Sequence, residues 1–378
     1  MDILMVGLRG IGPDAQGGIE KHVEKLATHL DSHGLKVGIA LRKPYAQKSI
    51  PPEGSNIKLV KLFSTRSKSF EALINAFSAV VYAGIKRPKL VHIHAVGPSL
   101  ATPLAKFLGL KVVTTHHGRD YDREKWGFLA RNALKCGEYF QAHFADARIC
   151  VSASDAEHLS SKYKKVFQYI PNGIPENSES KQEANSRILE EFDLQGKKYI
   201  LTVSRLVPEK RHVDLIEAFN KFQDENLKLV IVGAEDHPGK YTEMLDAASK
   251  ENGNIILTGF RGGDDLMKLF QNAAIFALPS SHEGMPIALL EAMSYNLKVV
   301  ISDIAPHLVL ELPPTSYHEK SNPASLHAAL KSQLDDKETD TADWRDFLRP
   351  FQWREVSFKT KEVYNSVHKP PFKSTLHA

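Results

Sequence analysis

Two cysteines in 378 residues, Cys136 and Cys150, cannot build a disulfide framework, and they lack the paired spacing of a zinc site. A reducing cytosol with both thiols structural is the expectation. The opening "MDILMVGLRG" has no basic region ahead of an apolar stretch, so no signal peptide is expected. The longest nearly apolar stretch, "ALINAFSAVVYAGI" over residues 72–85, has 14 residues and contains Asn75; that is too short to span a bilayer. A dinucleotide fingerprint is missing too. Gly7, Gly10 and Gly12 run G-x-x-G-x-G, and no ribose-binding acid follows the second expected strand, which argues against a non-catalytic NAD-type binding protein. Metal patterns are equally scarce. His116 and His117 are adjacent on a strand, so they point to opposite faces, and no H-x-x-x-H or Cys–His spacing accompanies them. His92 and His94 share a strand face but name no ligand set, and read as structural. In "RGGDDL", Asp264 and Asp265 suit the first turn of a helix rather than a D-x-D clamp. No metal is expected.

What is present is ordinary in bulk and uneven in charge. Apolar residues make up 42% and charged residues 25%, as in a folded globular chain. The formal net charge is +4, but residues 1–170 hold 25 Lys+Arg against 14 Asp+Glu, while residues 171–378 hold 24 against 31. A basic first half suits an anionic partner, such as a membrane surface. Lys58, Lys61, Arg66, Lys68, Lys86, Arg87 and Lys89 flank an expected helix over residues 70–85. Its stripe of Phe70, Leu73, Ile74, Phe77, Val80 and Val81 is expected to face the core, as most such stripes do.

Short β-branched runs alternate with amphipathic segments throughout. "DILMVG", "KVGIAL", "IKLVKLF", "LVHIHAV", "KVVTTHH", "ARICVSA" and "FQYIPNG" read as strands of one set; "KYILTVS", "KLVIVGA", "NIILTGF", "AIFALPS" and "KVVISDI" read as a second. That rhythm predicts an α/β fold of two Rossmann-like, doubly wound parallel-sheet domains, facing each other across a cleft. The polar stretch "PENSESKQEANS" separates them. The expected domains are residues 1–175 and 176–350, with a helix over 351–368 returning toward the first and a frayed tail beyond.

Ligands of open α/β sheets bind at the C-terminal ends of the strands, which singles out several loops. "SSHEGMPIALLEAMSYN" follows the strand "AIFALPS" and sets Glu283 in a loop before Pro286, with Glu291 eight residues later in an apolar helix. A carboxylate crowded by Ile287, Leu289, Leu290, Ala292 and Met293 should be buried, and needs an Arg, a Lys or a ligand as partner. "VSRLVPEKRH" places Arg205 and Lys210 in the loop before a helix; a guanidinium fork and an ammonium together suit a diphosphate. Gly17 and Gly18 open a helix whose first N–H groups can meet an anion or a sugar hydroxyl. "HHGRD" ends a strand with one histidine facing the ligand side.

Together these segments resemble the family-4 retaining glycosyltransferases of the GT-B fold. "HEGMPIALLEAM" is similar to that family's E-x7-E motif, "SRLVPEKRH" to its diphosphate segment, "QGGIEKHVEKLATHL" to its Gly-Gly loop and helix, and "HHGRD" to its histidine segment. "GGIEKHVEKLA" with "HGRDYDREKWG" most resembles bacterial enzymes that build surface polysaccharides. The resemblance implies a sugar moved from a nucleotide-diphosphate donor to a glycan or lipid-linked acceptor, with retention and without metal or other cofactor. It implies donor-binding roles for Gly18, Arg205, Lys210, Arg261, Glu283, Gly284, Met285, Pro286 and Glu291. His117, Arg205, Lys210 and Glu283 would act in catalysis. Glu291 would hold the ribose, Glu283 and the backbone of 284–286 the donor sugar, and Arg261 would lie near the base. Three departures stand out: Ser204 and Arg211 replace glycines usual in the family, and "ELPPTSYHEKSNPASL" (residues 311–326) replaces a Gly-rich segment. A nucleotide-sugar epimerase of the same architecture is the alternative. No nucleic-acid partner is expected, and the chain is expected in the cytoplasm, held peripherally on the inner membrane face.

Overall fold

The structure, a computed structural model, describes residues 1–12, 17–47, 49–65, 70–119, 121, 127–174, 187–235, 239–336 and 342–368. The expected linker over 175–186, Arg66, Lys68, most of "DYDREKWG" and the tail over 369–378 lie outside them. The chain divides into two compact units. Met1–Tyr121, Phe128–Pro171 and the helix Trp353–His368 belong to the first, and Asn172–Gln352 to the second.

In the first unit the described strands are β1 (Ile3–Val6), β2 (Val37–Arg42), β3 (Lys58–Leu62), β4 (Leu90–His94), β5 (Val112–His116), β6 (Ala147–Cys150) and β7 (Gln168–Tyr169). They pair in parallel in the order β3-β2-β1-β4-β5-β6-β7. β1, β2, β4 and β5 are buried along their whole length, as befits strands covered on both faces. β7 is shorter than "FQYIPNG" suggested. Pro171 has no N–H to donate to a ladder, and the strand ends just before it. On one face the helix Gly18–Ser32 buries Val23, Leu26, Ala27 and Leu30 against Trp353, Val356, Val363 and Tyr364 of the helix Trp353–His368.

The stripe over residues 70–85 is a correction. Of its six residues only Val80 is buried; Phe70 is 56% exposed and Val81 50%, with Ile85 at 74% beside them. The helix Glu71–Lys86 instead turns Ala76, Ala79, Val80 and Ala83 to the sheet. Small side chains let its backbone approach the strands closely, and the bulky ones are left outside. Its N-terminal Glu71 is buried and fully engaged, accepting bonds from Arg9 Nε (3.0 Å), Arg42 Nη1 (2.7 Å) and the Tyr45 hydroxyl (2.8 Å). An ionised carboxylate under the sheet edge is tolerated on those terms.

The second unit contains β8 (Tyr199–Val203), β9 (Lys228–Val232), β10 (Ile255–Gly259), β11 (Ile275–Leu278), β12 (Lys298–Ser302) and β13 (Tyr317–His318), parallel in the order β10-β9-β8-β11-β12-β13. The segment 311–326 supplies β13 and the start of the helix Pro323–Asp335, whose cap Asn322 accepts the amides of Ala324 (3.1 Å) and Ser325 (3.0 Å). In both sheets the chain reverses its winding direction beside the first strand of the set, at β1/β4 and at β8/β11. Loops leaving those strands flank the crevice where open α/β sheets bind ligands.

Candidate functional site

The loops after β8 and β11 are stitched together. Ser281 donates its amide (2.8 Å) and its hydroxyl (3.2 Å) to the Glu209 carbonyl. That seam brings Lys210, at the end of the short 3-10 turn Pro208–Lys210, into a salt bridge with Glu283, both side chains largely buried. Burial alone pushes the Glu283 carboxyl up, but the adjacent Lys210 ammonium outweighs it and holds the group below the ordinary carboxylate range. His307, on the turn after β12, lies near enough to add to this field; burial pushes its own pKa down to about 4, and its Nδ1 lies 2.8 Å from the Ser302 carbonyl. Arg205 is half-buried, and its guanidinium makes no hydrogen bond or ion pair with the described residues. The second unit thus presents a neutralised pair and an uncommitted cationic fork on one pair of loops.

The two non-glycine substitutions in this loop are explained by their neighbours. Ser204 passes close to the next strand's end because Gly233 provides the clearance: a Cβ there would lie 1.8 Å from the Ser204 carbonyl. Its hydroxyl meets His212 Nε2 at 2.9 Å. Arg211 sits in the left-handed region at φ 55, offset by a two-pronged pairing with Asp214 (2.8 Å each).

Glu291 is a second correction. It lies in the helix Ile287–Ser294, but on a half-exposed stripe with Ile287, Ala288 and Tyr295, while Leu289, Leu290, Ala292 and Met293 face the interior. Its neighbours Leu290 and Ala292 are buried, whereas Glu291 is only partly buried. Pro286 is the residue before the helix. Met285 and Pro286 are buried, Gly284 is partly exposed, and Asn172 Nδ2 donates to the Met285 carbonyl at 2.6 Å. Asn172, in "YIPNG", and His307 went unremarked in the sequence; neither carries a pattern that marks it. Arg261, after β10, is already occupied: it pairs with Glu191 (2.6 Å), donates to the Thr258 carbonyl (3.1 Å) and stacks its guanidinium over Phe192 at 5.2 Å.

In the first unit, Gly17 adopts φ 126 before the helix Gly18–Ser32, and a Cβ there would meet Glu20. Glu20 and Glu24 accept amides of Arg9 (3.3 Å) and Gly12 (2.9 Å), tying the loop after β1 to that helix. Gly18 is exposed at the helix start. His117 is half-buried, with Nε2 3.1 Å from His94 Nδ1. His116 turns the other way, to Gln141 at 3.1 Å. His92 lies between Tyr364 and Thr115, 2.7 Å from each hydroxyl. Burial pushes His92 down to about 3, and drives His94 and His117 well below the ordinary imidazole value.

The family model described as Glycosyltransferase Family 4 matches residues 16–178, and the one described as Glycosyl transferases group 1 matches residues 185–344. The chain belongs to the family-4 glycosyltransferases. This glycosyltransferase is 28% identical over 273 residues to the UDP-Gal:alpha-D-GlcNAc-diphosphoundecaprenol alpha-1,3-galactosyltransferase of Escherichia coli, covering 68% of this chain and 65% of that one. It is 21% identical over 292 residues to the amylovoran biosynthesis glycosyltransferase AmsD of Erwinia amylovora, covering 77% and 79%. Among solved structures, Anabaena Alr3699/HepE in complex with UDP and glucose is similar at a TM-score of 0.78 and 17% identity, over 96% of this chain and 99% of that one. At that identity the likeness shows the fold, which is GT-B. None of these comparisons lends support to an epimerase.

Proposed function

We propose that this family-4 glycosyltransferase moves a sugar, with retention, from a nucleoside-diphosphate donor to a glycan or lipid-linked acceptor during assembly of a bacterial surface polysaccharide. The observation that carries the donor site is the Lys210–Glu283 pair beside the uncommitted Arg205 at the β8/β11 reversal. Arg205 and Lys210 would take the two phosphates. Glu283, kept ionised by Lys210, would accept hydrogen bonds from sugar hydroxyls, with the backbone of Gly284, Met285 and Pro286 beside it. Glu291, partly buried on its helix stripe, would accept the ribose hydroxyls. Gly18 would offer its helix-start amide, His117 would meet the sugar, and Arg261, fixed over Phe192, would border the base.

In the reaction the bond from the anomeric carbon to the diphosphate oxygen breaks, and its electron pair leaves on the phosphate. The acceptor oxygen attacks from the same face and its proton passes to the departing phosphate. Fixed cations stabilise the growing negative charge before it appears, which a metal-free site can do. The relatives' printed names mention a diphosphoundecaprenol acceptor and amylovoran, which supports a lipid-linked or polymeric acceptor here. A thermal-shift screen with UDP-, GDP- and dTDP-sugars, followed by a transfer assay on the stabilising donor, tests the reading. A transfer rate that Arg205→Ala leaves unchanged would remove its basis.

Membrane association belongs to the same proposal. No helix among the described residues is long and apolar enough to cross a membrane. Yet Phe70, Phe77, Val81 and Ile85 stand out from one helix, Phe107 (87% exposed) from the next, and Lys61, Lys86, Arg87 and Lys89 are exposed around them. Apolar anchors with flanking cations suit an anionic bilayer surface. The expected result is salt-sensitive sedimentation with anionic vesicles, lost in a variant combining Ile85→Asp and Arg87→Glu. Protein remaining in the supernatant at low salt would end that part of the proposal.

A further inference from the structure

We infer that His22, His94 and His117 form a binding site for one divalent transition-metal ion of the zinc class in the first unit. The three residues come from the helix Gly18–Ser32, the end of β4 and the residue after β5, so three separate elements converge on one point. One ring nitrogen from each lies within 4.8 Å of the others. The ring centroids are 5.0 Å (His22–His117), 5.4 Å (His94–His117) and 5.7 Å (His22–His94) apart.

Zinc–imidazole bonds of about 2.0–2.1 Å at tetrahedral angles set ligand nitrogens roughly 3.3 Å apart. The 3.1 Å between His94 Nδ1 and His117 Nε2 is already that separation. The His22 nitrogen lies within 4.8 Å of the other two, so closing on an ion shortens a separation by at most about 1.5 Å, within the reach of side-chain rotation. His94 Nε2 is buried and meets no hydrogen-bond partner among the described residues, so this ring is not held by a complete network of its own. The surroundings also hold the rings in place: His22 packs on Trp353 at 5.5 Å, and His92 lies 4.0 Å from His94 while anchored by Tyr364 and Thr115.

Three imidazoles suit zinc, cobalt, nickel or copper rather than magnesium or calcium. They leave a fourth position open to water or to an oxygen of a bound molecule. None of the three ligands is an anion, and this half of the chain is basic, so the ion should bind reversibly and be removed by a chelator. One consequence rests on the donor-sugar role proposed for His117: an ion held there would withdraw that ring from the sugar, so zinc would inhibit transfer rather than support it.

The test is equilibrium dialysis and calorimetry of the full chain with Zn²⁺, and visible absorption with Co²⁺. One ion per chain with a four- or five-coordinate cobalt spectrum is expected. His22→Ala and His94→Gln should each weaken it by at least tenfold, while His158→Ala, an exposed histidine on the helix Ala153–Tyr163, should keep it. Unchanged melting temperatures would show that the variants fold; should His94→Gln not fold, His22→Ala decides alone. No stoichiometric ion, or an ion kept by His22→Ala, overturns the site. An ion that binds as expected but leaves glycosyl transfer unaffected supports the site and removes His117 from the donor sugar.

Discussion

The loops after β1 and β8 leave equivalent strands of two sheets with the same central order, and they are furnished in opposite ways. After β8, the chain builds charge: Lys210 against Glu283, with Arg205 uncommitted beside them. Around β1, β4 and β5 it assembles three imidazoles, His22, His94 and His117, the last two held below the ordinary imidazole pKa by burial and by neighbouring histidines. Clearance differs as well. Gly7, at φ 122, lets the loop pass the His94 carbonyl, where a Cβ would lie 2.4 Å away; in the second unit a serine stands at the corresponding turn, and Gly233 on the neighbouring strand makes the room. Topology decides where a ligand can be met. Residue chemistry at that place decides which ligand it is: a diphosphate suits the cationic loop, and soft or neutral contacts suit the histidines.

The comparison is broken most sharply by removing the cations. Arg205→Ala is expected to lower kcat by about 10²–10³ while changing donor affinity much less, since a preorganised group stabilising a leaving charge acts mainly in the transition state. Lys210→Met should match it in rate but also destabilise the second unit, because Glu283 is left buried and unpaired. Adding Glu283→Gln should recover the melting temperature and not the rate. A Lys210→Met enzyme with normal turnover would show that the charged loop is structural only. On the other side, Gly7→Ala is expected to destabilise the first unit by about 2–3 kcal/mol, from a strained φ and a collision with backbone, measured by urea unfolding. Ser204→Gly, which loses the hydroxyl's contact to His212 and its long bond to the Arg205 carbonyl, should cost about 1 kcal/mol. Equal costs would mean that the two turns are built alike after all.

Acid should weaken the units in the same direction through different residues. For His92 and His212, each pushed to about 3, the folded pKa is below the unfolded value near 6.5. The unfolded chain then takes up protons first. Stability is therefore complete above about pH 6.5 and falls as pH drops toward 3, by up to about 1.4 kcal/mol per pH unit for each group. Unfolding midpoints at pH 7.5 and pH 5 should differ by about 2 kcal/mol per histidine, and a substitution that removes His92 without unfolding the protein should flatten that slope. A slope indifferent to His92 would place the acid sensitivity elsewhere. A smaller effect is expected at Glu291: its replacement by Ala should weaken nucleotide binding about tenfold, as loss of a charge-assisted bond to a hydroxyl would, with little change in stability because the side chain is not fully buried. Smallest of all, Arg211→Gly should be nearly neutral, relief of the left-handed strain cancelling the lost pairing with Asp214. A loss above about 2 kcal/mol would show that the pair matters more than the turn.

Much of this was legible before any coordinate. Alternating β-branched runs and amphipathic segments mark twelve of the strands, because a strand buried on both faces needs a continuous apolar run and little else. The segment of Tyr317 and His318 escaped notice because two residues at a sheet edge carry no period. The loops that carry Arg205, Lys210 and Glu283 stood out from residue type and from their place after strands. The helix over 71–86 was misjudged because apolar spacing names a face without saying which way it turns. Alanines that pack close to the sheet and phenylalanines that stand out share one helical period. The burial of Glu291 was overestimated for the complementary reason, a polar residue on the less buried side of a helix with Leu290 and Ala292 inside.

The sequence by itself determined the fold class, the two-unit order and the loops that carry the cations, since these depend on local period, turn chemistry and charge along a short stretch. Only the tertiary structure decided that Lys210 reaches Glu283 across 73 residues, that Asn172 grips the Met285 carbonyl across 113, and that His22 meets His94 and His117. Those contacts join elements brought together by parallel strand order and helix packing. Parallel crossovers place residues far apart in sequence side by side, and nothing in either stretch alone records which partner it will meet.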